Sequence, residues 1–149
     1  MYESMLLAVY LAVLAGIAIH DLRTLRAPNR VVYPAIALAA LASLTLGRAD
    51  AADALLGGAV AFLALLAVTL VSRGSMGLAD TKVGALCGMA VGLNAVLPML
   101  AVAFVSGGAV AASVLALRIR GRRDVVAFTP FLAAGVLASV VWFEPYLVA

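Results

Sequence analysis

Long apolar runs separated by short polar breaks set the pattern of this chain. The runs cover Met5 to Ile19, Val31 to Leu46, Ala54 to Ser72, Val83 to Leu117 and Val125 to Val141. At 1.5 Å per residue, the third is long enough for the roughly 30 Å hydrocarbon core of a bilayer. The fourth would extend roughly 52 Å as a single helix, well beyond that core. Gly92, Asn94 and Pro98 lie near its middle and supply turn chemistry, so two crossings joined by a tight turn are expected there. Polar breaks fall at His20 to Arg30, at Gly47-Arg48-Ala49-Asp50 and in a basic loop from Arg118 to Asp124. The first run has the length of a signal-peptide core. Only Glu3 precedes it, however, and it leads straight into His20-Asp21, so a retained helix is expected.

Composition turns these runs into a fold class. Of 149 residues, 66% are apolar and 11% charged, against roughly 25% charged in a soluble domain. A small domain must clothe a large surface in polar groups, so this excess is too large for a buried core. The expectation is an all-α, polytopic membrane helical bundle of about six transmembrane helices, a single integral-membrane domain over residues 1–149. Charge placement orients it. With the amino terminus outside, the inner loops hold Arg23, Arg26, Arg30, Arg73, Lys82, Arg118, Arg120, Arg122 and Arg123, and only Arg48 of the ten basic residues falls outside. The same rule requires an even number of crossings between Lys82 and Arg118. Cys87 is the one cysteine, which excludes a disulfide framework and a cysteine zinc site. No metal or cofactor is expected. The net charge of +3 flanks membrane helices rather than forming a nucleic-acid stripe, so no nucleic-acid partner is expected.

Candidate chemistry centres on Gly74-Ser75-Met76-Gly77-Leu78-Ala79-Asp80-Thr81-Lys82, between two apolar runs. An acid at such a boundary is costly to desolvate, and small neighbours permit close backbone approach. Topology narrows the search for a partner. Glu3, Asp50, Asp53 and Glu144 fall on the opposite side, and Asp124 stands among arginines. Asp21 remains, at the inner end of the first helix and at about the depth of Asp80. Two carboxylates brought together share a proton and titrate as a coupled pair. The ionised member can take a proton from water while the protonated one polarises a peptide carbonyl. The alternative is that each aspartate is a solvated helix-end residue that caps a turn.

Three segments resemble the prepilin peptidases, membrane aspartic proteases of the type IV leader-peptidase family. Asp21-Leu-Arg-Thr-Leu-Arg-Ala-Pro28-Asn29 resembles the family's first site, an Asp followed seven residues later by Pro and then Asn or Asp. Gly77-Leu78-Ala79-Asp80-Thr81-Lys82 is similar to its Gly-x-Gly-Asp motif followed by x-Lys, with Ala79 in place of the second Gly. Ala127-Phe128-Thr129-Pro130-Phe131-Leu132 resembles the Pro-Phe-Gly-Pro-Phe-Leu segment that opens the last helix, with Ala127 and Thr129 as departures. The resemblance implies Asp21 and Asp80 as catalytic residues, with Gly77, Ala79, Lys82, Pro28, Asn29 and Pro130 in support. It implies an endopeptidase of the inner membrane that removes the leader of pilin-like precursors at the cytoplasmic face. In size the chain resembles the short members found with tight-adherence (Flp-type) pilus systems, for which no methylation of the new amino terminus is expected.

Other residues carry plainer readings. His20 is expected to anchor a helix end, or to tune Asp21. Lys82 either snorkels as an inner-face anchor or holds negative charge near Asp80. Pro28-Asn29 bends the chain into the second helix. Gly84, Gly88 and Gly92 form a small-residue stripe that lets a neighbouring helix come close and draw Asp80 toward Asp21. The arginines from Arg118 to Arg123 suit orientation and anionic lipid. Two rival functions remain at this stage: a small proton-coupled transporter, which would place its acids near the midplane within inverted repeats, and a non-catalytic assembly factor of a pilus machine.

Overall fold

Each apolar run becomes helix, and the helices continue past the runs that seed them. In the computed structural model of the chain, the described residues are 2–24, 29–45, 51–72, 76–117 and 127–147. They form α1 (Tyr2–Thr24), α2 (Asn29–Thr45), α3 (Ala51–Val71), α4 (Leu78–Ala116) and α5 (Thr129–Leu147), with no strand among them. Once a helix is nucleated, each further residue adds a hydrogen bond at little cost, so polar residues at its ends are carried along. Arg23 in the last turn of α1 and Asp80 in the first turn of α4 also complement the helix dipoles. The segment expected as a boundary loop before Val83 is therefore helical from Leu78, and Asp80 and Lys82 stand on a helix.

The fourth run forms α4 but not a single rod. Gly92 has φ 77° and ψ 177°, which breaks the helix in two. Packing shows that the chain reverses there. Asp80 is hydrogen-bonded to Thr129, and Gly107 packs against the rings of Phe128 and Phe131. In a straight helix residues 80 and 107 would lie roughly 40 Å apart, too far for both to touch the first turn of α5. The expected two-segment arrangement thus holds at Gly92, while Asn94 and Pro98 lie within the returning helix rather than in the turn. Among the described residues there are five helices, the fourth folded on itself, instead of six separate ones.

α3 runs antiparallel to the first half of α4. Thr69 meets Thr81, Gly84 packs on Leu65, Gly88 on Gly57 and Ala61, and Asp53 reaches Leu93. A methyl group on either Gly57 or Gly88 would strike the other's backbone carbonyl, so two glycines set this close approach. Asp53 Oδ1 accepts the Leu93 backbone N–H at 3.2 Å, which caps the returning segment from a neighbouring helix. The positive φ at Gly92 and the Asp53 carboxylate beside it both require glycine.

The core lies between α4 and its neighbours, with Leu14, Ile17, Leu65, Leu86, Met99 and Leu132 almost fully buried. Leu38, Leu44, Leu63, Leu70, Val105 and Trp142 face outward. Such an apolar exterior suits hydrocarbon rather than water. Ala51–Val71 and Leu78–Ala116 are long and apolar enough to cross a membrane. The breaks at 46–50 and 118–126, with Arg48, Asp50, Asp124 and the arginines of the basic loop, lie outside the described residues.

Candidate active site

α1 buries one stripe, Leu14, Ile17, Ala18 and Asp21, at the i, i+3, i+4, i+7 spacing of a helix face. The last member of that stripe is an acid, which the apolar positions before it carry into the bundle. Asp21 is 4% exposed and Asp80 8% exposed. Asp80 enters from the first turn of α4, at the start of a limb whose residues are mostly buried as far as Gly92. The two carboxylates, on different helices, are close enough to act on one another electrostatically. Like charges brought into one low-dielectric site repel one another strongly.

The two acids differ in their surroundings. Asp80 Oδ1 accepts the Thr129 hydroxyl at 3.1 Å. Its carboxylate also receives the backbone N–H groups of Gly77 and Thr129. Gly77 is the N-cap of α4 (φ −76°, ψ 143°), and Thr129 opens α5. Asp80 therefore sits where two helix N-termini converge, each with unpaired N–H groups and a positive dipole end. Asp21 Oδ2, by contrast, is buried with no hydrogen-bond partner among the described residues. Such an atom is expensive to enclose unless it has a task.

The residues singled out in sequence do not all meet at the site. Asp21, Asp80 and Gly77 come together, and Pro130 lies in the first turn of α5 beside Thr129. Ala79 is half-buried against the core within the first turn of α4, in helical conformation, so no left-handed backbone is needed where the motif has glycine. Lys82 lies 4.6 Å from the centroid of the Tyr33 ring on α2, a cation–π contact that ties α2 to the start of α4. Asn29 begins α2, whereas Pro28 lies outside the described residues. The stripe of Gly84, Gly88 and Gly92 faces α3, so it seats α3 rather than drawing in α1. Asp21 arrives instead because α1 packs chiefly on α5.

Two contributors carry little sequence signal. Thr129 stands where the resemblance departs from the family pattern, and that departure was the one clue to it. Thr81, 1% exposed, and Thr69 pair through their hydroxyls at 3.3 Å, Thr69 in turn donating to the Leu65 carbonyl. A hydroxyl in an apolar run is ordinary, so nothing in the order of residues marks this pair. Among the described residues no cluster of histidine, cysteine and acid side chains has the makings of a metal site.

The family model described as the type IV leader peptidase family matches residues 8–112. That stretch includes both aspartates and most of α4, and stops short of α5. No match is found among curated proteins or among solved structures. The matched stretch covers most of the chain, and the chain belongs to the type IV leader peptidase family.

Proposed function

We propose that this peptidase is an aspartic endopeptidase of the inner membrane that cuts the leader from pilin-like precursors at the cytoplasmic face. The observation that carries the reading is the pairing of Asp21 and Asp80, two buried carboxylates delivered by different helices to one end of the bundle. One carboxylate takes a proton from water as it attacks the scissile carbonyl. The other, protonated, donates its proton to the carbonyl oxygen. On collapse of the gem-diol the first passes its newly gained proton to the departing amine, and the second recovers a proton from the diol hydroxyl. Water is the nucleophile, and the proton moves within the pair.

Topology supports the same reading. With the amino terminus outside, α1 to α3 and the two limbs of α4 alternate across the bilayer, and α5 completes six passes in one peptidase domain over residues 1–149. Nine of the ten basic residues then face the cytoplasm with the aspartates. A precursor whose apolar helix lies in the bilayer, with a short basic leader inside, presents its scissile bond at that depth. Substrate and site meet at one interface.

The test is cleavage by the full chain reconstituted in liposomes, with a synthetic precursor that carries a short basic leader ahead of an apolar helix. The expected result is one cut at the junction of leader and helix, read by mass spectrometry. An intact precursor, or cuts scattered along the apolar helix, would overturn the reading.

A further inference from the structure

We propose that Thr129 is the residue that positions Asp80 and sets the pH range in which the pair is active. This rests on the peptidase reading above. Thr129 is fully buried, and its hydroxyl donates to Asp80 Oδ1 at 3.1 Å across 49 residues of chain. Its backbone N–H reaches the same carboxylate. Phe128 supplies the carbonyl that accepts the first N–H groups of α5, from Phe131 at 3.0 Å and Leu132 at 3.2 Å, which fixes the helix start and with it Thr129. The rings of Phe104 and Phe128, with centroids 5.3 Å apart, brace that start against the returning limb of α4.

The consequence is an asymmetric pair. Thr129 and two backbone donors hold Asp80 in one orientation, and an Oδ2 with no partner among the described residues leaves Asp21 as the carboxyl that can follow the reacting atoms. A buried carboxylate has several acceptor sites, and a donor aimed at one of them favours the ionised form. The charged and titratable groups that the described residues bring to this end are His20, Asp21 and Arg23 on α1, Arg30 and Tyr33 on α2, and Lys82 on α4. Among the described residues α3 and α5 bring hydroxyls there, Thr69 and Thr129. The Thr129 hydroxyl is a donor to Asp80 that can be deleted without moving a charge.

Thr129→Val keeps the shape and removes the donor. With the synthetic precursor, it is expected to lower kcat about tenfold or more at unchanged KM, from the loss of a hydrogen bond to a charged group. Its pH–rate profile is expected to move to higher pH, and Thr129→Ser is expected to restore both rate and profile. Wild-type kcat and profile in Thr129→Val would overturn the proposal. So would equal losses in the valine and serine variants, which would mark a purely packing role. If the valine variant is not recovered folded, Thr129→Ala against Thr129→Ser makes the same comparison, and equality between them overturns it. A wild-type chain that leaves the precursor intact refutes the peptidase reading itself, whereas active wild type with an indifferent Thr129 refutes only this inference.

Discussion

Three donors converge on the Asp80 carboxylate while Asp21 Oδ2 meets none among the described residues. An asymmetry of this kind suits a pair whose members take different parts in one reaction. The rate should therefore fall on both sides of an optimum. At low pH both carboxyls are protonated and the base is lost. At high pH both are ionised and the acid is lost. The two limbs of kcat/KM belong to the pair rather than to either residue. A profile flat from mildly acid to alkaline pH would contradict shared protonation. Lys82 has a lesser part. Lys82→Met keeps the apolar stem and loses the cation over Tyr33, so a stability loss of about 0.5–1 kcal/mol is expected in thermal unfolding, with cleavage retained.

The helices themselves were legible in the apolar runs, and the reversal within the fourth followed from its length. Their ends were not, because backbone hydrogen bonding carries a helix past its last apolar residue. That is why Asp80 stands on α4 rather than in a loop. The neighbour seated by the Gly84-Gly88-Gly92 stripe was also hidden, since a stripe of small residues admits any helix and does not say which. At Gly92 two demands meet, a positive φ and the nearness of the Asp53 carboxylate. Gly92→Ala should lower the stability of the detergent-solubilised protein by about 2 kcal/mol or more, a left-handed alanine adding to a steric collision. Asp53→Ala should cost about 1 kcal/mol as a lost cap. Unchanged thermal unfolding in both would show that the turn is held by something else.

The whole bundle delivers its two acids to one end by different routes, α1 through its packing on α5 and α4 through its packing on α3. The pairing of Asp21 with Asp80 could be read from charge placement, because topology set the other acids apart. Thr129 could not, since a hydroxyl on the last helix bears no mark of a partner 49 residues away. The orientation has its own test in intact cells. With Cys87 buried, a cysteine in Asp50→Cys should react with a membrane-impermeant thiol reagent from outside, and one in Arg120→Cys only after permeabilisation. The opposite pattern would invert the bundle and remove the cytoplasmic site.

If Asp21 and Asp80 act as one catalytic unit, precursor cleavage by Asp21→Asn, Asp80→Asn and the double variant will show it. Groups that act as a unit are lost together, so each single variant should fall to the same background rate as the double, with membrane insertion intact. Normal cleavage by either single variant, or partial losses that add up in the double, would contradict the account.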